Sequence, residues 1–256
     1  MDSLISEFKN KLRERAVIGI FSKTTDPAFI ECIGFSGFDF VIIDMEHGPA
    51  TTERVQDLIR AAQISNILPI VRVKEKCLSL ISEVLDIGAG GVQVPHINKV
   101  EDIKELIEVA KFSPLGNRGI CKFVRAAKYS SMDKKDYFQK SNESVVIIQL
   151  EGVEGLKNID EILKINGYDV LFIGPYDLSQ SLGVPGEVNH PIIEEKMLEI
   201  VKKCKNKNIM FGNFVDTIEE ARRWLKLGIK YFSFSVDVGI FYKSYTDIFK
   251  SLSNYR

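Results

Sequence analysis

Eight short apolar runs are spaced along the chain: AVIGIF (16–21), DFVIID (39–44), LPIVRV (68–73), GGVQVP (90–95), SVVIIQL (144–150), YDVLFIG (168–174), IMFGNFV (209–215) and YFSFSVD (231–237). Each is rich in β-branched or aromatic residues and flanked by Gly, Pro, Asp or Asn, the composition of a short strand. Their apolarity is continuous rather than alternating, which suits parallel strands covered on both faces. Most of the intervals hold a helix-like segment. In TTERVQDLIRAAQ, Val55, Leu58, Ile59 and Ala62 fall on one stripe, with Thr51 or Thr52 placed to cap it. VEDIKELIEVAKF repeats the spacing with Ile103, Leu106, Ile107 and Ala110, and TIEEARRWLKLG and PIIEEKMLEIVKKCKNK behave alike. Strands alternating with helices eight times over predict a (β/α)8 TIM barrel, one α/β domain spanning residues 1–256. A doubly wound sheet is the alternative, but no G-x-G-x-x-G follows the first strand. Two connections are long, 113–143 and 175–190, and the first carries Arg118, Gly119, Arg125 and a predicted helix. Long connections in compact folds tend to be functional, and the first is expected to serve the site.

Composition narrows the function classes. The 256 residues are 45% hydrophobic and 27% charged, with a net charge of −1, so no basic excess exists to neutralise the phosphates of a nucleic acid or a membrane surface. Lys202, Lys203, Lys205 and Lys207 read as one solvated helix face. Cys32, Cys77, Cys121 and Cys204 are far apart without a C-x-x-C pair, which fits reduced thiols in a cytoplasm. The N-terminus, MDSLISEFKNKLRERA, is charged throughout and has no signal-peptide core. No apolar run approaches the ~20 residues of a membrane span.

In such a barrel, chemistry sits at the C-terminal ends of the strands. The stretch FDFVIIDMEHGP, from Phe38, ends a core strand in Asp44, Glu46 and His47. The third strand ends in Arg72, the fifth in Gln149 and Glu151, and the sixth in Gly174 and Asp177. Singly, each has an ordinary reading as a rim salt bridge, a helix cap or a loop histidine. Together they gather carboxylates, one His and one Arg at one barrel end. Two carboxylates from adjacent strands suit a hard divalent cation whose shell is completed by water and substrate. An Arg beside it suits a substrate carboxylate or developing oxyanion. A His titrating near neutrality supplies proton transfer. That set suits chemistry through an enolate.

The motifs DMEHGP (44–49), VR (71–72), LDIGAGGVQVP (85–95), SPLGNRG (113–119), VRAAKY (124–129), QLE (149–151) and FIGPYDLSQSLG (172–183) resemble the HpcH/HpaI family of class II, metal-dependent pyruvate aldolases. Their order and spacing match over roughly residues 4–250. The resemblance implies a phosphoenolpyruvate/pyruvate-type barrel with an N-terminal helix and a C-terminal helix exchanged between barrels. It implies a homo-oligomer, a hexamer or trimer of dimers, that cleaves a 4-hydroxy-2-oxo acid to pyruvate and an aldehyde. By the same resemblance Glu151 and Asp177 would ligate Mg²⁺, Mn²⁺ or Co²⁺. Gln149 and the backbone from Gly174 to Asp177 would bind the pyruvate half, Arg72 would stabilise the enolate, and His47 would serve the acid–base step. Asp86 would match the carboxylate that raises the basicity of that His. Asp86 precedes the fourth strand, however, at the far end of its own barrel, so contact with His47 would need a neighbouring subunit or a different local path; its ordinary reading is a helix C-terminal residue before Gly88. Tyr176 stands where some relatives have Ala, and CKF (121–123) replaces small residues after R-G, which leaves the aldehyde open. Decarboxylation or another lyase reaction on a 2-oxo acid reuses the same enolate, and a non-catalytic oxo-acid-binding barrel is the alternative outside enzymes. A Schiff-base mechanism has Lys74 as its nearest candidate.

Overall fold

A computed structural model describes residues 1–253 and 255 of the chain. The apolar runs form eight parallel strands: β1 (Val17–Ser22), β2 (Phe40–Asp44), β3 (Leu68–Arg72), β4 (Gly91–Val94), β5 (Val145–Leu150), β6 (Val170–Ile173), β7 (Met210–Val215) and β8 (Tyr231–Val236). Each pairs with its sequence neighbours, and β8 closes on β1. The sheet is therefore a closed (β/α)8 barrel, not a doubly wound one. Around it, in chain order, lie α1 (Asp2–Glu14), α2 (Pro27–Phe35), α3 (Thr52–Ile64), α4 (Leu78–Asp86), α5 (Val100–Ala110), α6 (Lys134–Ser141), α7 (Val153–Lys157), α8 (Ile159–Ile162), α9 (Pro175–Ser181), α10 (Pro191–Asn206), α11 (Ile218–Lys226) and α12 (Asp237–Ser253). Thr51 caps α3, its hydroxyl accepting from the Arg54 N–H.

The two-residue period of each strand sorts its side chains into two cores. Val41, Ile43, Val71, Val146 and Ile148 pack outward under the helices. Phe40, Ile42, Leu68, Ile70, Val145 and Ile147 fill the barrel interior. Continuing the inward series of β2 and β3 by one step gives Asp44 and Arg72, which pair in register. The interior therefore turns polar at the C-terminal strand ends. At the other end α1 acts as a plug: Leu4, Ile5, Phe8 and Leu12 are buried, and Phe8 meets the rings of Phe40 (5.7 Å) and Tyr231 (6.4 Å) edge-on. Phe40 stacks on Tyr231 at 4.3 Å across β1, where only glycine fits: a β-carbon on Gly19 would come within 2.2 Å of the Phe40 ring.

The connection 113–143 holds a 3-10 turn (Arg125–Ser130) and α6. It folds beneath β4, at the N-terminal end of the strands. There Arg118 Nη2 donates to Asp86 Oδ1 (2.5 Å) and Arg125 Nη1 to the Ile87 carbonyl (3.1 Å). The expectation that it serves the site fails within one chain, because it caps the opposite end of the barrel. In α12, the Asp237 carboxylate accepts from Ser22 Oγ (2.6 Å), the Lys23 N–H (3.0 Å) and Thr24 Oγ1 (3.0 Å), clamping the helix start to the end of β1. Beyond that clamp Phe241, Tyr242, Tyr245, Ile248, Phe249 and Leu252 are exposed. Among the described residues no helix is long and apolar enough to cross a membrane.

Candidate active site

Arg72 is the centre of a buried ion-pair network. Its Nε and Nη2 donate to Asp44 Oδ1 (2.9 Å) and Oδ2 (2.8 Å), and Nη1 lies 2.9 Å from Glu46 Oε2. Its guanidinium also lies over the Phe21 ring, 4.6 Å from the centroid. Burial pushes the Asp44 carboxyl up, but the Arg72 hydrogen bonds and charge outweigh this and hold it below the ordinary value. The same partners raise Arg72 against the desolvation that would lower it. Asp44 is thus the fixed anion that aims the guanidinium at the barrel mouth.

Glu151 follows β5 and is 4% exposed. Oε1 accepts from the His96 backbone N–H (3.0 Å), with His96 Nδ1 at 2.9 Å, while Oε2 accepts from Gln149 Nε2 (2.6 Å). Gln149 Oε1 in turn accepts from Gln93 Nε2 (2.5 Å). Burial raises the Glu151 carboxyl, and the nearby Asp177 charge adds to the rise against these donors. A β-carbon on Gly174 would lie 3.0 Å from Glu151 Oε2, 3.5 Å from Asp177 Oδ2 and 3.5 Å from Gln149 Nε2. Gly174 is therefore the floor on which the two carboxylates face each other. A buried carboxylate raised by a second one is a pair that a divalent cation would relieve, so these residues fit a metal ion. Glu46, His96 and Glu151 also place one ligand atom each within 4.8 Å of one another. That second cluster already has the Arg72 guanidinium against Glu46, whereas Asp177 has no protein hydrogen-bond donor among the described residues.

His47, Arg72, Gly174, Tyr176 and Asp177 line one cavity of about 520 Å³ at this barrel end, with Lys23, Phe172 and Asp216. The His47 side chain is 57% exposed, with Nε2 3.9 Å from Glu46 Oε2. Tyr176 donates from its hydroxyl to Asp216 Oδ2 (2.7 Å), and its ring meets Phe214 at 5.9 Å. That hydrogen bond, then burial, pushes the phenol up to about 12. Asp86 does not reach His47 within the chain: it pairs with Arg118 at the far end, as its place before β4 requires. Lys74 is exposed just past β3 and does not line the cavity. Lys23, 3.8 Å from Asp44 Oδ2, and His96 join this end of the barrel outside the set expected from the sequence. His96 lies two residues past β4 in VQVPH, a strand-end position like those of the other residues.

A closed (β/α)8 barrel with Arg72, Glu151, Asp177 and His47 at the C-terminal strand ends has the architecture of a barrel enzyme. The family model HpcH/HpaI aldolase/citrate lyase matches residues 17–244, and the chain belongs to that family. A 2-dehydro-3,6-dideoxy-6-sulfogluconate aldolase of Pseudomonas putida is 31% identical over 229 residues, 89% of each chain. A 2-keto-3-deoxy-L-rhamnonate aldolase of Salmonella typhi is 31% identical over 245 residues, 94% of this chain and 91% of that protein. The solved structure of citrate synthase SbnG is 31% identical, covers 96% of this chain and 97% of that chain, and superposes with a TM-score of 0.88.

Proposed function

We propose that this protein is a metal-dependent aldolase that reversibly cleaves a 4-hydroxy-2-oxo acid into pyruvate and an aldehyde. The observation that carries the reading is that the carboxylates of Glu151 and Asp177 both lie against Gly174, which lines the same cavity as Asp177, Arg72 and His47. Glu151 and Asp177 would hold a divalent ion, Mg²⁺, Mn²⁺ or Co²⁺, whose charge would polarise the 2-oxo group. Gln149 and the backbone at Gly174 to Asp177 orient the pyruvate half. His47 takes the proton of the C4 hydroxyl, the C3–C4 bond breaks, and its electron pair passes into the pyruvate enolate as the aldehyde carbonyl forms. Asp44 accepts from two of the five Arg72 N–H groups, on Nε and Nη2, and Glu46 forms an ion pair with Nη1, which leaves N–H groups on Nη1 and Nη2 for the enolate oxygen. Returning the proton to C3 completes pyruvate. Tyr176 and Asp216 bound the side where the aldehyde departs.

The exposed apolar face of α12 suits exchange onto a second barrel, so we assign a homo-oligomer, a hexamer or trimer of dimers. Asp86 then has a route to the partner's active site. The four cysteines are unpaired, in keeping with a cytoplasmic setting. The likeness to a citrate synthase favours a second reading, addition of an acetyl-thioester enolate to oxaloacetate.

Metal-loaded protein should condense pyruvate with at least one member of a panel of aldehydes, and EDTA should abolish the reaction. Borohydride should trap no pyruvate on Lys23 or Lys74. Full activity in EDTA, or a trapped lysine adduct, would overturn the class II mechanism. Thiol release from acetyl-CoA with oxaloacetate, without any pyruvate condensation, would select the citrate synthase reading.

A further inference from the structure

The residue that spans the two carboxylate clusters is His96. It has a φ of 57°, in the left-handed region that few side chains adopt. In that conformation its backbone N–H and its Nδ1 meet the same oxygen, Glu151 Oε1, at 3.0 and 2.9 Å. Its Nε2 lies 3.2 Å from Glu46 Oε1, and the other oxygen of Glu46 carries Arg72. Each nitrogen of this half-exposed ring therefore lies within ion-pair distance of a carboxylate. The result is a continuous chain, Asp44–Arg72–Glu46–His96–Glu151.

We propose that His96 is a positioning residue that holds Oε1 of Glu151 and so turns Oε2 toward Asp177 for the metal ion. The proposal rests on the metal-site reading above. Both ring nitrogens are already directed at carboxylates, and a cation inside the Glu46–His96–Glu151 triangle would sit against the Arg72 guanidinium. Repulsion between like charges disfavours that place. The free carboxylate is on the other side, at Asp177. Groups that orient a metal ligand through hydrogen bonds typically contribute about 10–100-fold in metal affinity.

The probe is Mn²⁺ alone, titrated calorimetrically into native protein, Glu151→Gln, His96→Gly and His96→Asn. Glycine removes the ring and relaxes the positive φ. Asparagine also tolerates that backbone and places an amide donor near the position of Nδ1. Native protein should bind and Glu151→Gln should not. His96→Gly should bind about 10–100-fold more weakly, and His96→Asn should recover most of the loss. Pulsed electron paramagnetic resonance of the native Mn²⁺ complex should show no directly coordinated nitrogen. Unchanged affinity in His96→Gly, or no recovery in His96→Asn, would overturn the positioning role while leaving the metal site intact. A directly bound nitrogen would make His96 a ligand and overturn it too. Absence of Mn²⁺ binding in the native protein would instead remove the metal-site reading, and this proposal with it.

Discussion

Arg72 ends β3 with two N–H groups donated to Asp44 and an ion pair to Glu46, so a lysine in its place would have one point charge to divide among two carboxylates and a substrate. Arg72→Lys should lower kcat by about 10²–10³, the usual loss for one preorganised oxyanion donor. A loss below tenfold would reduce Arg72 to a rim ion pair. His47 has Glu46 as its ion-pair neighbour, Nε2 to Oε2 at 3.9 Å, and is not one of the proposed ligands, so His47→Ala should keep near-native metal affinity. It should slow cleavage by about 10²–10⁴, and loss of metal would mark it as a ligand instead. The strand-end placement of Asp44, His47, Arg72, Glu151 and Asp177 was legible because each ends or closely follows an apolar run. His96 stands at the same kind of strand end, but in VQVPHI no second charged residue accompanies it. Its significance arises only when barrel closure brings Glu46, after β2, and Glu151, after β5, within reach of its ring. Asp86 was legible as misplaced for the same topological reason that the structure gives.

At the scale of elements, α1 holds the bottom of the barrel closed. Phe8 sits among Phe40 and Tyr231, so Phe8→Ala should cost about 3–5 kcal/mol of stability, measured by denaturant unfolding. A cost under about 1 kcal/mol, the range of a surface change, would mean that α1 is no plug. Asp39 ties this helix to β1 and β2: it accepts from Arg15 Nη1 (2.9 Å), Arg15 Nη2 (2.6 Å) and the Ile18 N–H (3.1 Å). Burial raises its carboxyl, but Arg15 and the backbone donor prevail and hold it below the ordinary value. A depressed carboxylate stabilises the fold above its unfolded pKa, and that contribution is lost as pH falls through the folded value. Asp39→Asn should therefore lose about 1–3 kcal/mol at neutral pH and show a flatter decline of stability on the acid side. An unchanged acid profile would remove Asp39 from that role. The eight strands were legible from continuous apolarity, since a parallel strand buried on both faces has no polar side to obscure it. The plug was hidden because Leu4, Ile5, Phe8 and Leu12 are interleaved with charges, and a charged N-terminus reads as solvent-facing.

For the whole molecule, α12 presents Tyr245, Ile248, Phe249 and Leu252 to solvent, a face that one chain leaves uncovered. Phe249→Asp should break the oligomer in sedimentation velocity while the barrel keeps its circular dichroism, and a native protein that sediments as a monomer would contradict the assembly. If Asp86 serves a partner's His47, mixed oligomers of His47→Ala and Asp86→Asn should regain part of the activity that each lacks. No recovery would confine Asp86 to its Arg118 pair. Barrel closure was legible from strand count, whereas the role of 113–143 was not, since sequence length says nothing of which barrel end a connection covers. The enolate is the step that every part of this account shares, and it can be observed without knowing the aldehyde. The most direct test is exchange of the pyruvate methyl protons with deuterium oxide, followed by proton NMR. The account predicts exchange with Mn²⁺ that stops in EDTA and is lost in Asp177→Asn. Pyruvate protons that stay unexchanged in the metal-loaded protein, or that exchange equally well in EDTA, would contradict it.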